Sequence, residues 1–414
     1  MSTAQVSFSG AGFLDFSSLR GLTLAPARLA IARALVVFCF VWPFFNYNLV
    51  DPGNMTEVNF VPVFIAALLV PEVTLREKWP VVLALPAFAV ALIWANPTAP
   101  LRLAIGIIPL QFLLNLTGHL RERGQELIPP NLAYRCLQVF VGFCLLQTVE
   151  FNFFHVIPQG LTDLLIALLP RYSAVPYDDA GVRGVQGWAS EPAGAALFSI
   201  ALALVAIRQC PDRRWRVLAW FTVLVLLNKS VYSLVFLALL SLCLLFTLRR
   251  KAVALLALAP FGAAALFFAQ HSKRLDELQT NMISGGLSIE SNKELMRFAQ
   301  MFFPLARFPR IYVPPILYGG AVMEPMGLLP LLAGYGSIAG LVWLGCLLGR
   351  NLPREGLSQR LLLMTAGIVL LFMAPPDLIP AVVAFSIFLV PRSRPETAFG
   401  EAIACAPGGS LERV

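Results

Sequence analysis

Charge is scarce in this chain of 414 residues: Asp, Glu, Lys and Arg make up 13% of it, against roughly a quarter in soluble domains. Its seven cysteines, Cys39, Cys136, Cys144, Cys210, Cys243, Cys346 and Cys405, form no CxxC pair and mostly fall inside apolar runs. That argues against a disulfide framework and against a zinc site. No small-residue cleavage site follows residues 1–27, which read as a cytoplasmic or interfacial N-terminus rather than a secretory signal. A Walker loop, a His-rich cluster and a DxD-like metal motif are also missing; "YDDAG" pairs Asp178 with Asp179 but supplies no further ligands at usable spacing. No metal or other cofactor is expected. The net charge of +8 sits largely in short loops, so nucleic acid is not an expected partner.

Apolar residues are abundant. They make up 58% of the chain, and the mean hydropathy is +0.75. Surface-to-volume scaling does not let one soluble chain of this length bury so much apolar surface. Runs near the ~20 residues that cross a bilayer recur throughout. They predict an all-α, polytopic membrane protein with spans at 28–47, 57–74, 79–95, 101–119, 132–154, 191–208, 216–228, 230–248, 252–270, 326–348, 361–375 and 378–391. Residues 28–391 then form a single transmembrane domain, and 392–414 a cytoplasmic tail.

Short cytoplasmic loops collect Lys and Arg, and here every second boundary is basic. Arg28 and Arg33, Arg76 and Lys78, Arg121 and Arg123, Arg213 and Arg214, Arg249 to Lys251, Arg350 and Arg354, and Arg392 and Arg394 mark that side. The alternation predicts about 12 crossings with both termini in the cytoplasm. Residues 216–248 are the tightest part, with "LLNKSVYS" at the centre. A single tilted helix would invert everything downstream, so two short segments are expected.

Two long connections then face outward, 155–190 and 271–325, and long loops on a scaffold commonly carry function. The first starts at His155 and runs through "GLTDLLIALLPRYS", apolar at helical spacing and expected to lie flat at the interface with Arg171 at its polar end. Next comes "YDDAGVRGVQGWASEP", with Asp179, Arg183, Trp188 and Glu191, whose glycines at 181, 184 and 187 let the backbone turn sharply. Glu191-Pro192 also reads as a helix start, since both residues suit a first turn. Interfacial Trp is commonly a membrane anchor. The second loop holds Lys273, Arg274, Lys293, Arg297, Arg307 and Arg310. Insertion rules give no reason for outward Args, and the arginine fork suits phosphate or carboxylate. An anionic group at the outer surface is the expected partner. Lys229 either approaches such a phosphate or snorkels to water.

These features resemble a family, the polytopic Wzy-type polymerases and ligases of lipid-linked O-antigen or exopolysaccharide repeat units. The likeness rests on "RGVQGWASEPAGAA", on "LNKSVYSLVFLALL" and on the basic second loop. Polymerases of this type carry an Arg, ten residues and then a Gly in each of two external loops. Arg183 precedes Gly194 and Arg274 precedes Gly285 at that spacing, although Gly194 falls beyond the loop, in the expected helix. The resemblance implies a fold like C-type membrane glycosyltransferases, location in the bacterial inner (plasma) membrane, and metal-independent transfer from a polyprenyl-pyrophosphate-linked oligosaccharide to a sugar hydroxyl. Arg183, Arg274 and Arg297 would hold phosphate or anionic sugar groups, with Arg307 and Arg310 behind them. Glu191 would take the acceptor proton, with Asp179 and His271 as alternatives, and Trp188 would stack on a sugar. Membrane lipids and chain-length regulator or export proteins are the further partners implied.

Two other activities are alternatives. A ligase would transfer finished glycan to another acceptor, with His155 or His271 prominent. A lipid-linked glycan flippase or secondary transporter calls for ionisable groups at mid-membrane depth and repeated halves. The spans are nearly free of such groups, Arg135 and Glu150 near the ends of one span coming closest. A non-enzymatic scaffold of an envelope assembly is the remaining alternative.

Overall fold

The computed structural model describes residues 24–42, 60–76, 98–149, 185, 187–189, 192–228, 230–245, 316–318, 321–323, 357–369 and 378–390, with single positions at 81, 82, 85, 89, 259, 262, 263, 266, 342, 345 and 346. Within them the architecture is helical. In chain order come α1 (Leu24–Val41), α2 (Val61–Leu69), α3 (Pro71–Thr74), α4 (Thr98–Glu122), α5 (Leu132–Val149), α6 (Pro192–Gln209), α7 (Arg214–Asn228), α8 (Val231–Leu245), α9 (Leu357–Ile368) and α10 (Ile379–Leu389). One departure is a small antiparallel hairpin, β1 (Ile316–Tyr318) paired with β2 (Ala321–Met323), with Leu317 opposite Val322. It lies in the second long loop, where no strand was expected. The spans expected at 79–95, 252–270 and 326–348 lie outside the described residues except for a few single helical positions, as do the terminal stretches 1–23 and 392–414 and the segment 155–173.

Local chemistry sets the helix boundaries. Pro192 opens α6, where its missing N–H and fixed φ cost nothing. Gly124 closes α4 with φ 69. There Gln125 N–H bonds Leu120 O at 2.8 Å and Gly124 N–H bonds Arg121 O at 2.9 Å, the paired bonds that end a helix through a left-handed glycine. The single span expected over 57–74 is corrected. Pro71 has no N–H for the Ala67 carbonyl, and the chain breaks at Val70 (φ −127, ψ 62) before restarting as α3. The Thr74 carbonyl at the end of α3 is taken up by Gln111 Nε2 at 3.1 Å and Asn115 Nδ2 at 3.2 Å, both from α4.

Residues 214–245 form two helices, with the ring centroids of Phe221 and Phe236 5.1 Å apart. In one continuous helix, at about 1.5 Å rise per residue, they would stand roughly 22 Å apart. α7 and α8 therefore fold back on each other, as expected from the basic residues at both ends of the stretch.

α6 is buried on every side from Ala195 to Arg208, and α10 throughout. A helix apolar all round belongs at the centre. α6 packs on α5, α7, α8 and α10, and α4 packs on α10, where Thr117 and Ser386 hydroxyls meet at 3.3 Å. The outer faces of the surrounding helices are apolar too. On α1 the exposed residues include Ile31 and Phe38, on α5 Val139 and Leu146, and on α8 Val235 and Leu242, each pair two turns apart. Among the described residues, exposed charge is confined to loops and terminal turns, as at Arg76, Glu122, Arg123, Arg135, Arg213 and Arg216. Among the described residues, Leu132–Val149 is the one helix both long and apolar enough to cross a membrane, with shorter apolar helices at Gly194–Gln209, Tyr232–Leu242 and Ile379–Leu389.

The basic boundaries gather around the loop 123–131. Arg33 Nε donates to Leu127 O at 3.1 Å, Gln209 Nε2 to Ile128 O at 2.7 Å, and Arg213 Nη1 to Asn131 Oδ1 at 2.9 Å. Arg76 grips Glu122 through two bonds of 2.8 and 2.7 Å, and this holds the Glu122 carboxyl below the ordinary carboxylate range. Arg121, buried, donates to the carbonyls of Ile387, at 2.9 Å, and Val390 at the end of α10. A cation there complements both the unpaired carbonyls and the helix dipole.

Candidate functional site

A second meeting point forms where the ends of α1, α5 and α7 and the starts of α6 and α8 come together, around residues 185–189. Gly187 has φ +63, a left-handed conformation that glycine adopts without steric cost. A Cβ built on it would press into the Phe140 ring, 2.7 Å from Cζ and 3.2 Å from Cys144 Sγ. The backbone turn is therefore packed directly on the face of α5.

Side-chain amides hold this segment. Gln147, 4% exposed near the end of α5, accepts from Gly187 N–H through Oε1 and donates to Gly187 O through Nε2, both at 3.0 Å. Two residues earlier, Val185 N–H donates to Leu227 O at 3.1 Å, and Val185 O accepts from Asn228 Nδ2 at 2.9 Å. Asn228, fully buried, also accepts from Ser233 Oγ at 3.4 Å. Both backbone groups of Val185 and both of Gly187 are thus paired, as buried peptide groups require.

Trp188 is the one sequence-proposed site residue among those described. It is 8% exposed, with Trp42 stacked on it at 5.8 Å and an interplanar angle of 17°, and Phe140 meeting it edge-on at 4.7 Å. Phe143 and Phe198 complete the cluster. In the fold the ring is engaged by these protein aromatics, and sugar stacking by Trp188 stays a proposal. Its Nε1 has no hydrogen-bond partner among the described residues.

Arg183, Glu191, Arg274, Arg297, Arg307, Arg310, Asp179, Lys229, His271 and His155 lie outside the described residues. Three of them adjoin the anchored segment in the chain: Arg183 precedes Val185 by two residues, Glu191 follows Ala189 by two, and Lys229 separates Asn228 from Ser230. Gly194, the distal member of the first Arg-to-Gly spacing, stands inside α6. Sequence reasoning passed over Gln147 and Asn228. The signal was present in "LLQTVE" and "LLNKS", where an amide interrupts an apolar run at a helix end, since polar side chains at such depth must find partners. Among the described residues no three of His, Cys, Asp and Glu are grouped as metal ligands would be. Comparison with protein-family models, with curated proteins and with solved structures finds no match for the chain.

Proposed function

We propose that the chain is a polytopic membrane glycosyltransferase of the bacterial inner membrane, with about 12 crossings and both termini cytoplasmic, which polymerises polyprenyl-pyrophosphate-linked oligosaccharide repeat units at the outer face. One observation carries the reading: the anchored segment 185–189, set apart from the end where the basic loops gather and flanked in the chain by Arg183, Glu191 and Lys229. The apolar outer faces of α1, α5 and α8 support the membrane part, because water-soluble helices carry polar residues there.

In this reading the acceptor sugar hydroxyl attacks the anomeric carbon of the donor. The new C–O glycosidic bond forms as the bond to the lipid pyrophosphate breaks, and the hydroxyl proton passes to the Glu191 carboxylate. Charge developing on the departing pyrophosphate is met by Arg183, Arg274 and Arg297, with Arg307, Arg310 and Lys229 nearby. Asp179 and His271 are the alternative bases.

The test is incubation of purified protein with lipid-pyrophosphate-linked repeat units, followed by sizing of the glycan. A ladder of products supports polymerisation, single transfer supports a ligase, and no product with matched substrate supports a flippase or scaffold. Arg183→Ala is expected to lower the rate about 100-fold or more, the scale of losing one preorganised donor, while the protein still inserts. Unchanged polymer length and yield in that variant would remove Arg183 from the mechanism.

A further inference from the structure

Gln147 and Asn228 share a chemistry that the fold alone does not demand. Each is a neutral amide, buried in apolar surroundings, at the C-terminal end of a helix. A primary amide offers one acceptor and one donor side by side, matching the N–H and C=O of a single residue. A carboxylate would repel the Gly187 carbonyl, an ammonium would leave the N–H unpaired, and either would cost far more to bury. An apolar residue would fill the position with no polar group to satisfy. A buried amide stabilises only the one backbone arrangement that satisfies it, because unpaired it is worse than no amide at all.

We infer that Gln147, seconded by Asn228, is a positioning residue: it fixes the turn at Gly187, from which Arg183 and Glu191 each stand four residues away along the chain. What is positioned rests on the glycosyl-transfer reading above, whereas the clamp itself rests on its four hydrogen bonds. At this turn Gln147 bonds the backbone groups of Gly187, so it acts on Arg183 and Glu191 through the segment. Displacement of reacting groups by about 1 Å costs on the order of 100-fold in rate.

The experiment uses the full chain in lipid vesicles and two variants. Gln147→Met keeps the length of the side chain and loses both bonds. Gln147→Glu keeps an acceptor for the Gly187 N–H and loses the donor to its carbonyl. Hydrogen exchange of the peptide spanning 184–190 is followed beside kcat and KM for polymerisation. In Gln147→Met, exchange is expected to accelerate roughly tenfold or more as the turn opens locally. Its kcat falls about 10- to 100-fold with KM within about threefold, the pattern of groups misplaced in the transition state rather than lost binding. Gln147→Glu, which adds carbonyl repulsion and a burial cost, falls at least as far as Met, and either variant carries the comparison if the other fails to insert. Unchanged exchange overturns the clamp. Faster exchange with unchanged kcat, or with the whole effect in KM, overturns the positioning role. Wild-type protein that makes no polymer overturns the functional reading, and the exchange result then judges the clamp alone.

Discussion

At Gly187 an added methyl group meets two obstacles, a left-handed backbone and the ring of Phe140. Gly187→Ala is expected to destabilise by roughly 2–5 kcal/mol, from the backbone penalty and overpacking combined. Phe140→Leu in the same chain should recover the packing part and leave the backbone part. Thermal unfolding of the four proteins in detergent measures this, and a double variant no better than the sum of the singles rejects the steric account. Trp188 offers a second contrast. Its indole N–H has no partner among the described residues, so Trp188→Phe gives up no hydrogen bond described there and should cost less than about 1.5 kcal/mol. Trp188→Ala empties the centre of the aromatic cluster and should cost about 3–5 kcal/mol. The glycine's turning role was legible in "GVQGWAS", because Gly so placed in a polar run implies a turn. The burial of Trp188 was not, since composition cannot tell an aromatic that faces the interface from one that faces Trp42.

Helices and their junctions show where sequence pattern suffices. The α7–α8 hairpin was readable because both ends of the stretch are basic, and a single helix would have put them on opposite sides. The break at Val70–Pro71 was equally visible in the proline, yet hydropathy alone ran straight across it. The capping of α3 by Gln111 and Asn115 was not readable, because it joins positions brought together only by tertiary packing. Two arginines at these junctions differ in weight. Arg121 is buried and serves the last carbonyls of α10, so Arg121→Met should cost about 1.5–3 kcal/mol. Arg76 and Glu122 are half exposed, so Arg76→Met should cost less than about 1 kcal/mol. Because the Glu122 carboxyl is held low by Arg76, its contribution is present above the unfolded carboxylate value of about 4.3 and is lost as pH falls through the folded one. Melting of wild type and Glu122→Gln should therefore converge on acidification from neutral pH; a gap that stays constant rejects the pairing.

The whole molecule presents apolar residues both inward and outward, and this separates two environments by a single substitution. Val139 is 63% exposed on α5. Facing water, Val139→Asp would change stability by no more than about 0.5 kcal/mol; facing hydrocarbon it should cost about 2.5–3.5 kcal/mol. Resistance of the expressed protein to alkaline extraction from membranes reads the difference, with Gln125→Asp in the exposed loop as the control. Helical class was legible at this scale from composition alone. The arrangement of helices around α6 was not, because an apolar run carries no label for the neighbour it will meet. The residues with the clearest chemical promise, Arg183 and Glu191, were found by their oddity within such runs, whereas the partners of the amides Gln147 and Asn228, the peptide groups of Gly187 and Val185, are supplied only by the fold.

The bonds from Arg121 to the end of α10 join positions 266 and 269 residues apart. During synthesis the guanidinium leaves the ribosome long before either carbonyl exists. Until the last helix arrives, Arg121 must stay hydrated or borrow Glu126, its near neighbour at 3.7 Å. The arrival of α10 is thus registered chemically at a helix made far earlier. A nascent protein stopped before residue 378 would leave the Arg121 guanidinium without the Ile387 and Val390 carbonyls that it bonds in the fold.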